Sequence, residues 1–179
     1  TSSLDSIPWI AANGINTAFS VHLAPDFDRI ASFARRYWDE YAKHASDTRK
    51  LNGRGVPKVG LSVHIHVAQT NAQAHAQAGP AFEQFQHNYT YRFARRGNRD
   101  RYEARKHFDE EVHAGRIVVG SPATVRERLA DFLERSGANY VIGCFAFGSL
   151  TGEQMLSSID LFGREVMPAL SKVREVSAA

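Results

Sequence analysis

The side chains placed to do chemistry are few. Ser2, Ser3 and Ser6 stand before or at the start of the first helical stretch. Free backbone N–H groups there, with the hydroxyls, make a ready phosphate cradle; simple N-capping by one serine is the plainer alternative. His64 and His66 lie two residues apart on one face of a β-prone run. Such a pair chelates a metal when a third ligand is at hand. None stands at a recognisable spacing, so polar lining of an interior is the better reading and no metal site is expected. Gly120-Ser121-Pro122 could offer amides to a phosphate as well. A serine cap with proline in the first helical position accounts for the same three residues without a ligand. Cys144, the only cysteine, falls in an apolar run and reads as an inert core thiol. A single cysteine excludes an internal disulfide and a C-x-x-C zinc or redox pair. There is no Gly-x-Ser-x-Gly elbow, P-loop or dinucleotide-binding glycine pattern, so the residues alone carry no complete catalytic constellation.

These residues are positioned by alternating strands and helices. Ser6 to Asn13 reads as the end of a helix, with Pro8 in its first turn and Gly14 as its stop. Ile15 to Leu23 is β-prone. Pro25-Asp26 opens an amphipathic helix to about His44, with Phe27, Ile30, Phe33, Ala34, Tyr37, Trp38 and Tyr41 on one face. A polar loop from Asp47 to Lys58 precedes Val59–Ala68, the cleanest strand, whose odd positions are apolar and whose other face carries Ser62, His64 and His66. Asn71 to about Tyr91 is helical, with a bend expected at Gly79-Pro80. Ala123 to Arg135 is a helix burying Val125, Leu129, Phe132 and Leu133. Tyr140 to Phe147 is a strand with few charges, expected to be buried on both faces. Gly152 to Leu170 closes the chain as a helix, stopped or bent at Pro168. Strands separated by helices imply parallel pairing. A (β/α)8 barrel takes about 250 residues, so the expected fold is α/β, the C-terminal part of such a barrel, with the N-terminal part absent from this chain of 179 residues.

Composition narrows the classes. With 43% hydrophobic and 23% charged residues, the chain is an ordinary globular one rather than a disordered one. No apolar run reaches the ~18 residues of a membrane span, and no secretory n-region or h-region opens it; a cytoplasmic setting and no membrane partner are expected. The start at Thr1-Ser2-Ser3 is abrupt and reads as a cut. Net charge is +3, with arginine outnumbering lysine 17 to 5. Seven basic residues gather between Arg92 and Lys106 against Asp100 and Glu103. A solvated surface segment is the first reading, with an anion-binding lid or a nucleic-acid contact behind it; no nucleic-acid partner is expected.

Several segments, in order, resemble bacterial luciferase-like flavin monooxygenases. Ser2-Ser3-Leu4-Asp5-Ser6 and Trp9-Ile10-Ala11-Ala12-Asn13-Gly14-Ile15 resemble the stretch after that family's fifth strand. His66-Val67-Ala68-Gln69-Thr70-Asn71-Ala72-Gln73-Ala74 resembles its seventh strand and following helix start, with Gln73 where the family often carries an acid. Val119-Gly120-Ser121-Pro122-Ala123-Thr124-Val125 resembles its "G-[ST]-P-x-x-V" cap. Gly137-Ala138-Asn139-Tyr140 leads into the eighth strand, and Ser158-Ile159-Asp160-Leu161-Phe162-Gly163-Arg164-Glu165-Val166-Met167-Pro168 resembles the closing helix.

The resemblance implies one barrel domain whose strands six, seven and eight are Ile15–Leu23, Val59–Ala68 and Tyr140–Phe147. It implies an enzyme, as the complete protein, that binds reduced FMN and inserts one atom of O2 into a small organic substrate. A flavin reductase would supply the cofactor. The deazaflavin F420 in a related oxidoreductase, or a non-catalytic flavin-binding barrel, are the alternatives. Ser2, Ser3 and Ser6 match the family's flavin-phosphate positions. Residues 89–115 correspond to its long insertion, a lid that excludes water. Tyr89–His107 and Phe145–Phe147 would then form lid and substrate wall. The family's catalytic histidine would lie upstream, leaving catalytic residues unassigned. Exposed sheet edges would be covered by homo-oligomerisation or by the N-terminal half.

Overall fold

Apolar periodicity decides most of the elements. In the computed structural model, residues 4–21, 27–44, 55–104 and 106–170 are described. A 3-10 turn, Leu4–Ser6, leads into helix α1 (Ile7–Ala12), then strand β1 (Thr17–Ser20), helix α2 (Phe27–Lys43) and strand β2 (Val59–Val67). Helices α3 (Asn71–Ala94), α4 (Arg99–Glu103) and α5 (Phe108–His113) follow. Strand β3 (Ile117–Gly120), helix α6 (Pro122–Ser136), strand β4 (Tyr140–Cys144) and helix α7 (Gly152–Leu161) complete the order, and α7 runs into a π-helical turn, Phe162–Val166.

Strand β2 is the hub of the pairing. β1 lies parallel to its first half, Thr17 opposite Val59 and Ser20 opposite Ser62. β3 lies parallel to its second half, His64 opposite Ile117 and Val67 opposite Gly120. β4 also pairs with β2. The chain divides into two compact units within β2, Thr1–Val63 with Leu129–Gly143, and His64–Arg128 with Cys144–Ala179.

In the first unit, α2 buries Phe27, Ile30, Phe33, Ala34 and Tyr37, the stripe its sequence demands. Phe33 meets Phe19 of β1 edge to face at 5.6 Å, and Phe27 stacks on Phe132 of α6 at 4.3 Å. Trp38 stays half-buried because its indole N–H donates to the Gly137 carbonyl at 2.8 Å. Tyr37 is buried, donates to the Ile15 carbonyl, and its phenol is pushed up to about 12, chiefly by burial. Asn139 clamps β4 to β2: its Oδ1 accepts from the Val59 N–H at 2.9 Å and its Nδ2 donates to the Pro57 carbonyl at 2.8 Å.

In the second unit, Ala74, Ala78, Ala81 and Phe82 of α3 pack with Phe108, Ile117, Val119, Phe147 and Leu150. The alanine row lets the 147–150 turn approach closely. A Cβ on Gly148, at φ +56°, would lie 1.6 Å from the Ala81 carbonyl oxygen, so only glycine fits. Buried Ser158 of α7 ties that helix to β2, its Oγ accepting the Val67 N–H at 2.8 Å.

Helix α3 runs on through Gly79-Pro80, where a Cβ on Gly79 would lie 3.5 Å from the Phe108 ring; packing holds the turn that proline weakens. Three expectations change. The Val118-Val119-Gly120 approach to the cap is itself a strand, because Ile117–Gly120 finds β2 beside it. β4 stops at Cys144 and is not buried on both faces: Tyr140 and Ile142 are exposed, because β2 is its only strand partner among the described residues. The final helix is not stopped at Pro168. It widens into a π-turn just before that residue, whose missing N–H disturbs the regular ladder.

Candidate functional site

The second half of β2 carries both strand histidines. His66 is fully buried, its Nε2 2.8 Å from Oε1 of Gln77 on α3, while its Nδ1 has no partner. Burial lowers its affinity for a proton and the Gln77 bond opposes that drop, so the ring is neutral near pH 7. A bare lone pair is less costly to bury than a bare N–H. The proton is therefore placed on Nε2, which donates to Gln77 Oε1. His64 has its ring 4.8 Å from Phe85 and 5.3 Å from Phe147, and burial pushes it down to about 4. Among the described residues no group of three or more His, Cys, Asp or Glu is arranged to hold a metal ion.

A cavity of about 420 Å³ opens where β2 ends, lined by Gln73, Gln77, Thr151, Glu153, Gln154 and Ser157 among others. Two helices begin beside it. Thr70 caps α3, its hydroxyl accepting from the Gln73 N–H. Thr151 and Gln154 form a reciprocal capping box at α7: the Gln154 N–H donates to Thr151 Oγ1 at 3.2 Å, and the Thr151 N–H donates to Gln154 Oε1 at 2.9 Å. Gln77 and Gln154 thus have their carbonyl oxygens engaged by fixed donors. Sequence reasoning missed these carboxamides. The available signal was Gln73 and Gln77 at spacing four, one row along a helix.

Gly120-Ser121-Pro122 serves as a cap. Ser121 Oγ accepts from the Thr124 N–H at 3.4 Å. Asn71 Oδ1 accepts from the Ser121 N–H at 2.7 Å and from the Thr124 hydroxyl at 2.9 Å. A Cβ on Gly120 would stand 2.8 Å from that same oxygen. The amide a phosphate would need at Ser121 is already taken.

Of the three serines, Ser2 and Ser3 lie outside the described residues. Ser6 joins the 3-10 turn to α1, half-buried, with φ −83° and ψ −17° and no side-chain capping bond to that helix. Cys144 ends β4, half-buried. Phe145 meets Phe162 edge to face at 5.1 Å, while Phe147 is buried in the core and does not form an open wall.

The Tyr89–His107 stretch is mostly helical, comprising the end of α3 and all of α4. Two of its cations lie over its own rings: Arg101 is 4.0 Å from the Phe93 ring centre and Arg92 4.6 Å from that of Tyr89. The Tyr102 hydroxyl meets His87 Nδ1 at 3.0 Å. At its far end, buried Glu111 on α5 is paired with Arg116, whose Nε donates at 2.8 Å, and with Lys106 at 3.5 Å. No described helix is long and apolar enough to cross a membrane.

Comparison with known proteins agrees with this geometry. A search of curated proteins finds "Uncharacterized protein y4wF" of Sinorhizobium fredii, 29% identical over 167 residues, 93% of this chain and 46% of that protein. Among solved structures, monooxygenase RslO1 from Streptomyces bottropensis superposes with a TM-score of 0.69 at 18% identity, covering 93% of this chain and 45% of its own. The FMN-bound oxygenating constituent of 3,6-diketocamphane monooxygenase from Pseudomonas putida gives 0.60 at 19%, covering 92% and 45%. A coenzyme F420-dependent tetrahydromethanopterin reductase from Methanopyrus kandleri gives 0.58 at 13%, covering 95% and 49%. At such identities these likenesses concern the fold: α/β, with parallel strands alternating with helices, part of a (β/α)8 barrel. The chain spans about half the length of the relatives it matches. The model of the luciferase-like monooxygenases matches residues 11–140, most of the chain and every strand but the last in full, and the chain belongs to that family.

Proposed function

We propose that this chain is the flavin-side portion of a reduced-FMN-dependent monooxygenase acting on a small organic substrate. The observation that carries the reading is the family match over residues 11–140. Bound reduced flavin supplies the activation of O2 and the transfer of one oxygen atom. The work of this chain's residues is binding and shielding. Ser2, Ser3 and Ser6 are the residues proposed to meet the flavin phosphate. Residues 89–115 are proposed as the lid that keeps water out, anchored at its far end by the Glu111–Arg116 pair. Tyr89–His107 and Phe145 would face the substrate. A flavin reductase supplies the reduced cofactor, and a second copy or a polypeptide carrying the earlier strands covers the exposed β4.

The test is anaerobic titration with reduced FMN and, separately, with reduced F420, read by absorbance and by mass of the retained cofactor. Reduced FMN is expected to bind and F420 not. Ser6→Ala is expected to weaken FMN about three- to tenfold, the loss of one hydrogen bond to a charged group. Retention of F420 alone would transfer the chain to hydride chemistry, and retention of neither would overturn the reading.

A further inference from the structure

We infer that the cavity at the end of β2 binds the neutral amide or imide edge of a small molecule, its carbonyl oxygen held by the side-chain NH2 groups of Gln77 and Gln154. The cavity has about 420 Å³, within the range of small-ligand sites. Its chemistry follows from how the two carboxamides are held.

A free glutamine is ambidextrous, presenting either oxygen or nitrogen. Neither of these is free. Gln77 Oε1 faces the Nε2 of His66 at 2.8 Å, and His66 is fully buried in its strand, so the glutamine cannot turn without placing N–H against N–H. Gln154 Oε1 is held at 2.9 Å by the Thr151 N–H, inside a capping box whose other half is the Thr151 hydroxyl. Both amides belong to the lining of the same cavity. With their oxygens fixed elsewhere, each offers that cavity only its NH2, a pure donor. Two pre-oriented donors select a carbonyl acceptor, and their fixed orientation removes most of the ordering cost of binding.

Charge then separates the possible acceptors. Glu153 lines the cavity too, and its carboxylate opposes phosphate or carboxylate ligands while accepting an N–H. Acceptor and donor on one uncharged edge is the pattern of a lactam, imide or carboxamide. The inference stands apart from the flavin reading, since it concerns these side chains alone.

The experiment uses 1H–15N spectra of the full chain, in which glutamine side-chain NH2 signals report the donors directly. Succinimide is the neutral probe and succinate the charged one. Succinimide is expected to move the Gln77 and Gln154 NH2 signals with a dissociation constant on the order of millimolar, and succinate to leave them in place. Gln154→Glu keeps an oxygen for the Thr151 N–H and so keeps the capping box, but replaces the donor by a carboxylate. It is expected to weaken succinimide at least about tenfold at an unchanged urea midpoint. Gln77→Glu, which keeps an acceptor for His66, is the second such variant, and Gln84→Glu on the exposed face of α3 is the control expected to bind as before. Unmoved signals with succinimide, equal movement with succinate, or undiminished binding in both cavity variants would overturn the assignment. FMN added to the succinimide complex tells the source of the edge. Displacement assigns it to the cofactor's own pyrimidinedione, and no displacement assigns it to a substrate.

Discussion

His64 and His66 show what burial does to a side chain that titrates near neutrality. His64 is wedged among aromatic rings and pushed down to about 4, and His66 is lowered for the same reason, with the Gln77 bond pulling the other way. His64 is neutral in the folded chain at pH 6, whereas an unfolded histidine with a pKa near 6.5 is largely protonated there. The unfolded state then binds more protons, so stability rises with pH between about 4 and 6.5 and falls on acidification through that window. His64 alone contributes about 3 kcal/mol across it at most. The check is the urea midpoint between pH 7 and 5, above the range of ordinary carboxylates. His64→Phe, which suits its aromatic neighbours, should flatten the slope; the same slope in both proteins would show that His64 titrates normally. This role was half legible in the sequence. The two-residue spacing put both rings on one face, and no third ligand stood at a recognisable spacing to join them. What fixed the tautomer of His66 was Gln77, eleven residues away on the next helix, and no local pattern links them. The serines are a different case. Their types suggested a cradle, but only Ser6 falls among the described residues, and a hydroxyl needs a geometry that composition does not supply.

Elements were more legible than contacts, because each is decided by its own periodicity. The stripe of α2, the alternation of β2 and the Ser121-Pro122 start of α6 all follow from sequence spacing. β3 escaped notice since a four-residue strand has too few positions to alternate, and it exists by virtue of β2. The basic run from Arg92 to Lys106 reads as a charged surface and is mostly exposed; within it Arg101 lies over Phe93 and Arg92 over Tyr89, and its end is pinned by a buried carboxylate. That pin makes a prediction for the proposed lid. Glu111 is 1% exposed, and Arg116→Met would leave its charge with Lys106 as the remaining cation. Removing one partner of a buried pair costs about 3 to 5 kcal/mol, while Glu111→Gln with Arg116→Met together should recover much of that loss. Chemical denaturation of the three variants decides it. A single substitution as mild as the double one would mean that the pair does not anchor α5 to β3.

At the scale of the whole molecule, β4 is the element whose environment departs furthest from what its residues ask. Tyr-Val-Ile-Gly-Cys is a sequence for a strand covered on both faces, and Tyr140 covers Gly60, where a Cβ would meet its ring at 2.5 Å. Yet Tyr140 is 40% and Ile142 37% exposed. These two residues share a face, being two apart in a strand. Among the described strands only β2 pairs with β4, whereas every strand of a closed barrel has two neighbours. A strand left with one free edge and an apolar face invites another chain to pair with it. The chain taken alone is therefore expected to self-associate, with a mass by light scattering that rises over the micromolar range. Ile142→Lys places a charge on the exposed face and should shift the population towards monomer, because a buried, unpaired lysine opposes pairing there. The same substitution should be tolerated in the monomer, since Ile142 is not in its core. A concentration-independent monomer in the unsubstituted chain would show that β4 is satisfied as it stands, and would remove the case for a second copy at this edge. Association that persists unchanged in the Ile142→Lys variant would move the interface to another surface, the first candidate being the exposed Leu156, Ile159 and Met167 of the closing helix.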